Sequence, residues 1–149
     1  MLHGNLRVRR ERRRVVIGDS QLVFRLGLRI ILESTPYFKV VGEAKDEDSA
    51  ITLCESLAPD VAILALGQAN FDGLHSARAI KTLVPDAHVV MLTAYHDKAR
   101  FAQLRDIGVS AIIWRGISED SLVDRIQQVC CGERFIDTIP AHSQRLDRR

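Results

Sequence analysis

No stretch of this chain approaches the ~18 consecutive apolar residues of a membrane span; the continuous apolar run at 61–66, VAILAL, is far too short. The basic N-terminus has no apolar segment behind it, so a secretory leader is not expected and a cytoplasmic location is. Cysteine is scarce, and Cys54, Cys130 and Cys131 have no metal-ligand spacing. Adjacent Cys130 and Cys131 fit disulfide geometry poorly, so buried thiols in a reducing compartment are expected, with a redox-reactive thiol as the alternative. The five histidines, His3, His75, His88, His96 and His142, show no H-x-x-x-H pairing, and no metal role is expected of them. No internal repeat is present, which excludes solenoid and propeller architectures.

What is there is the composition of a folded domain: 149 residues, 46% hydrophobic and 27% charged. The net charge of +2 conceals an asymmetry. Arginines crowd the start (Arg7, Arg9, Arg10, Arg12, Arg13, Arg14) and the end (Arg145, Arg148, Arg149), while residues 15–144 carry 12 basic and 17 acidic side chains. The body is thus acidic with basic tails. Such tails are read as solvated ends, with nucleic-acid contact as the lesser alternative.

Strand and helix signals alternate along the chain. The run at 61–66, bounded by Pro59-Asp60 and a polar turn through Asp72-Gly73, reads as a strand buried on both faces. Before it, residues 14–19 read as a first strand ending in Asp19. Apolar residues at Leu22, Val23, Leu26, Ile30 and Ile31 then have helical spacing, with Ser20 or Gln21 at the cap, and 38–42 forms a second strand. A helix stripe of Ile51, Leu53, Cys54 and Leu57 follows, behind the acids of 46–48. Beyond the buried strand, Asp72 is expected to cap a helix from Leu74 to Leu83 with Ile80 and Leu83 inward. A strand at 88–93, a helix opened by Asp97 and closed by Gly108, a strand at 111–114 and a helix capped by Ser118 complete the order. Five such alternations predict an α/β fold, a parallel sheet with helices on both faces. Ligands of such sheets lie outside the carboxyl ends of the strands, where 61–66 presents Ala65, a side chain with no chemistry.

These residues carry a resemblance. The runs RLGLR at 25–29, FKVVGEA at 38–44, DGL at 72–74, LTAY at 92–95 and GERF at 132–135 follow one another without gaps. In order and spacing, residues 15–137 resemble a response-regulator receiver domain, CheY-like and of the NarL/FixJ type. The resemblance implies a flavodoxin-like five-stranded parallel sheet, order 2-1-3-4-5, with helices on both faces. It divides the chain into a basic N-terminal tail at 1–14, a receiver domain at 15–137 and a polar C-terminal tail at 138–149.

Receivers accept a phosphoryl group on an aspartate after the third strand. Mg²⁺, held by acids after the first strand, assists, and a hydroxyl and a lysine bind the product. By resemblance the acceptor position is Ala65, the acid pair is Asp19 with Ser20, the hydroxyl is Thr93, the lysine position is Arg115 and the aromatic switch position is Ile112. A proline usual in the turn after the acceptor is replaced by Ala69. Ala65 cannot form an acyl phosphate, so no catalytic residue and no cofactor are expected, with Asp19 a weak candidate for Mg²⁺. Asp19 and Arg115 are expected to neutralise each other, and Asp72 to be a helix cap rather than a displaced acceptor.

The resulting expectation is a degenerate, stand-alone receiver in bacterial two-component or phosphorelay signalling, not an enzyme. It would act as a phosphorylation-independent protein-interaction module, with signalling proteins as partners and no membrane. The alternative is a regulator of transcription, or its remnant without the helix-turn-helix output domain that usually follows, or nucleic-acid contact through the basic tails. A homodimer is expected, anchored on Phe24 and Leu28, which are assigned off the main inward face of the first helix. Trp114 is assigned to packing, or to an exposed partner contact.

Overall fold

The computed structural model describes residues 11–136. The strands are β1 (Arg13–Gly18), β2 (Phe38–Ala44), β3 (Val61–Ala65), β4 (His88–Thr93), β5 (Ala111–Trp114) and β6 (Phe135–Ile136). Between them run α1 (Leu22–Glu33), α2 (Glu47–Leu57), α3 (Leu74–Leu83), α4 (Lys98–Ile107) and α5 (Glu119–Cys130). All pairings are parallel, in the order β2-β1-β3-β4-β5-β6. The expected 2-1-3-4-5 arrangement is therefore present, extended at one edge by the two-residue β6. Every residue of β3 is buried because apolar clusters cover both sheet faces. One cluster joins Val16, Leu64, Met91 and Ile112 to α2, α3 and α4, and the other joins Ile17, Ile63, Val90 and Ile113 to α1 and α5.

The caps show how local chemistry sets the helix ends. Asp46, Asp97 and Ser118 each accept a hydrogen bond from the backbone N–H three residues on, opening α2, α4 and α5. Gly108 closes α4 in the left-handed conformation. Two expected caps differ. No side chain caps α1 at Gln21, although Asp19 Oδ1 accepts from Gln21 N–H at 2.8 Å. Asp72 does not cap α3: Glu47, reaching across from α2, accepts from the backbone N–H of Gly73 (3.0 Å) and Ser76 (3.1 Å). Asp72 instead pairs with Arg100 at the surface, 3.0 Å away. Leu83, expected inward, is exposed, while Ser76, Ala77 and Ile80 are buried.

The first helix corrects the sequence reading most. Its inward side is Leu28 and Leu32, with Phe24 half-buried against the same cluster. Phe24 and Leu28 are thus core residues rather than outward anchors. The outward apolar residues are Leu22, Val23, Leu26 and Ile30, exposed by 57, 82, 44 and 69%. With apolar residues around most of α1, spacing alone could not choose the buried side.

The tail boundary shifts too. Arg13 and Arg14 are strand residues: Arg13 N–H donates to Tyr37 O, Arg14 N–H to the Asp60 carboxylate, and the Arg14 guanidinium to Leu57 O. Residues 1–10 and 137–149 lie outside the described residues, and with them most of the predicted N-terminal tail and all of the C-terminal one. No helix among the described residues is long and apolar enough to cross a membrane.

Candidate functional site at the carboxyl end of the sheet

The pocket forms where β1, β3, β4 and β5 end together. Asp19 follows β1 and is 1% exposed, its backbone N–H donating to Ala44 O. Ala65 ends β3 and is buried; Thr93 ends β4 and is buried; Arg115 follows β5, its backbone N–H donating to Thr93 O.

The loop after β3 completes the pocket. Phe71 is fully buried and packs against Gly18, where an added Cβ would meet the ring at 2.7 Å. A glycine at 18 is what lets the ring approach the β1 backbone so closely. Gly73, at φ +103° and with Leu66 2.5 Å from any added Cβ, turns the chain into α3. Between these anchors Gln68 and Phe71 exchange backbone hydrogen bonds, which hold Gln68 over the end of β1.

Gln68 was not singled out by any sequence signal, yet it is central. Its Oε1 accepts from Ser20 N–H (3.0 Å) and Ser20 Oγ–H (2.8 Å), and its Nε2 donates to Asp19 Oδ1 (3.1 Å). Asp19 Oδ1 also accepts from Gln21 N–H, and Asp19 Oδ2 lies 2.7 Å from Arg115 Nη2. Arg115 also donates from Nη2 to Gln21 Oε1 (3.1 Å) and stacks on Phe24, its guanidinium carbon 3.6 Å from the ring centroid. Asp19 O accepts from Arg25 Nη1–H at 2.7 Å, and Arg25 continues to Glu43. Among the described residues no buried side-chain nitrogen or oxygen lacks a hydrogen-bond partner.

The structure therefore brings together Asp19, Ser20 and Arg115, but not Thr93. The Thr93 hydroxyl turns back on its own chain, donating to Tyr95 O (2.9 Å) and accepting from Tyr95 N–H (3.2 Å). Ile112 is fully buried in the core. Trp114 is half-buried against the first apolar cluster, its indole lying over Gly116. Among the thiols, burial pushes Cys54 up to about 12 and Cys130 to about 11, so neither is a ready nucleophile.

These donors do not fit a divalent cation. A hard cation needs several oxygen ligands, and the pocket offers one carboxylate, both of whose oxygens already accept from protein donors. The Ser20 hydroxyl is committed to Gln68, and Ala65 contributes no oxygen from its side chain. No cluster of three or more histidine, cysteine or carboxylate side chains that could hold a metal occurs among the described residues.

A doubly wound parallel sheet with its polar site at the converging strand ends defines the class to which receivers belong. The chain is a member of the response regulator receiver domain family, whose model matches residues 15–127. It is 26% identical to the transcriptional regulatory protein DegU of Brevibacillus brevis, over 93% of this chain and 59% of that protein. It is 29% identical to the response regulator UvrY of Escherichia coli K12, over 90% of this chain and 61% of that one. The chain thus spans about three-fifths of the length of these relatives. Among solved structures, the signal receiver domain of the putative response regulator NarL from Mycobacterium tuberculosis superposes with a TM-score of 0.78 at 27% identity. That match covers 83% of this chain and all of the other.

Proposed function

We propose that this receiver works without phosphorylation, as a protein-interaction module in two-component signalling. The observation that carries the reading is the Asp19–Arg115 pair, 2.7 Å apart with the Asp19 carboxylate buried, at the strand ends where Ala65 offers only a methyl group. A working receiver pocket collects carboxylates whose repulsion a divalent cation relieves. Here one carboxylate is neutralised by an internal cation and fenced by Gln68, so the resting pocket needs no metal. Ala65 has no nucleophile, and Thr93, bound to its own turn, has no phosphoryl oxygen to follow.

Acetyl-phosphate labelling tests this. Wild type and Ala65→Asp are expected to take up no phosphate, with or without Mg²⁺. Ala65→Asp combined with Ser20→Asp restores the three-carboxylate cluster and is expected to bind Mg²⁺ and label at a trace level. Labelling of wild-type protein overturns the reading.

The module is proposed to pair with itself through the outward residues of α1, Leu22, Val23, Leu26 and Ile30, because an apolar patch of this size on a helix marks an interface. Light scattering at high protein concentration should report a dimer, and Val23→Lys with Ile30→Lys should report a monomer. A second reading is favoured by the relatives: DegU is a transcriptional regulatory protein, and the chain covers about three-fifths of it. On that reading the domain regulates transcription through a DNA-binding output region, and a steep salt dependence of DNA affinity would identify it.

A further inference from the structure

We propose that Arg115 is the positioning residue of the self-association face, a role that rests on the pairing through α1 proposed above. The ion pair in the pocket holds the first turn of α1 in the shape that a second copy meets. Leu22 and Val23, exposed by 57 and 82%, stand in that turn and are two of the four outward apolar residues.

The sequence of α1 supplies this turn with no cap. Asp46, Asp97 and Ser118 cap α2, α4 and α5 from their own N-termini, and Glu47 caps α3. At α1 the capping position is Gln21, whose backbone is extended as a cap requires but whose side chain makes no capping bond. No acidic residue lies in the first turn to complement the helix dipole.

Arg115 supplies from the end of β5 what the helix lacks. Its guanidinium touches the entry to α1 at three points: the Asp19 carboxylate (2.7 Å), Gln21 Oε1 (3.1 Å) and the face of Phe24 (3.6 Å). Leu22 and Val23 lie in the chain between the last two, so a shift of the guanidinium carries both with it. The grip is fixed from behind by the Arg115 backbone N–H, which donates to Thr93 O at 2.7 Å. A lone cation at a helix N-terminus opposes the dipole; Asp19 offsets it while also accepting from Gln21 N–H at 2.8 Å. The pair thus acts as one unit, linking the pocket to the face. The linkage is reciprocal: a second copy on Leu22 and Val23 tightens the ion pair as much as the ion pair favours the second copy.

Amide hydrogen exchange and sedimentation equilibrium on the full chain test this. In α1 the amides of residues 25–28 close on the carbonyls of 21–24, and those of 29–32 on the following turn. In a chain kept monomeric by Leu26→Lys with Ile30→Lys, both outside the first turn, Arg115→Gln should speed exchange at 25–28 about tenfold more than at 29–32, the scale of one lost helix cap. A contribution to overall stability alone would speed both alike. In the chain without the lysines, Arg115→Gln should weaken pairing by about tenfold, although Arg115 lies outside the apolar patch. Adding Gln21→Ser gives α1 a cap of its own and should return both readouts to within about threefold of wild type without restoring the ion pair. Equal acceleration along α1, pairing as tight in Arg115→Gln as in wild type, or no recovery with Gln21→Ser overturns the proposal and leaves self-association standing. A wild type that stays monomeric overturns both.

Discussion

The pocket at the strand ends and the groove between α1 and α5 share Arg115 but obey opposite rules. In the pocket the polar side chains are matched to one another: Asp19 receives Arg115, Gln68 and Gln21, and Ser20 is held by Gln68. The groove beside it, lined by Val23, Gly27, Ile31, Leu92 and Leu122, has apolar walls, and an added Cβ at Gly27 would meet nothing within 4 Å. The contrast teaches where this fold tolerates change. A buried polar network loses much when one member goes, because the remaining charge is left in a low-dielectric site. An open apolar groove loses little and can gain.

Substitution of Arg115 should have the largest effect. Arg115→Met leaves the Asp19 carboxylate buried without its cation, and urea unfolding should register a loss of about 3 kcal/mol. Adding Asp19→Asn should recover part of it; no recovery would mean that Arg115 matters through Phe24 rather than through the ion pair. Gln68→Ala removes bonds from Asp19 and Ser20 but leaves the ion pair intact, for an expected loss of about 1 kcal/mol. In the groove the sign reverses: Gly27→Ala should raise stability by about 0.5–1 kcal/mol, since a helix interior favours alanine and open space receives the methyl group. A loss there would show the groove to be tighter than its geometry.

The smallest effect is expected at the opposite end of the sheet. Burial, then Lys81 and Arg13, hold the His88 imidazole below its ordinary value of 6.5. The folded state therefore prefers neutral His88, and its contribution is complete above pH 6.5 and declines as the pH falls toward the folded value. His88→Gln should flatten that acid slope slightly. An acid slope unchanged in His88→Gln would place the pH sensitivity elsewhere and break the comparison.

Much of this molecule is written locally. The run at 61–66 could only be a strand buried on both faces, and Asp46, Asp97, Gly108 and Ser118 mark helix ends by bonds to their own chain neighbours. Alternating strands and helices imply a parallel sheet, and its chirality and order follow from general rules together with a recognisable pattern of residues. The presence of Asp19, Ala65, Thr93 and Arg115 at strand ends was legible for the same reason.

Other features depend on contacts across the chain. Glu47 caps α3 from 26 residues away, and Gln68 meets Asp19 across 49. Neither leaves a periodic or neighbouring signal, so Asp72 looked like the better cap and Gln68 like an ordinary loop residue. On α1, apolar side chains surround most of the helix, and hydrophobicity alone cannot say which of them meet the sheet. Docking against β1 and α5 chose Phe24, Leu28 and Leu32 for the core and left Leu22, Val23, Leu26 and Ile30 outside. A side chain's own chemistry determines what it can bond to; only the folded chain determines what stands within reach.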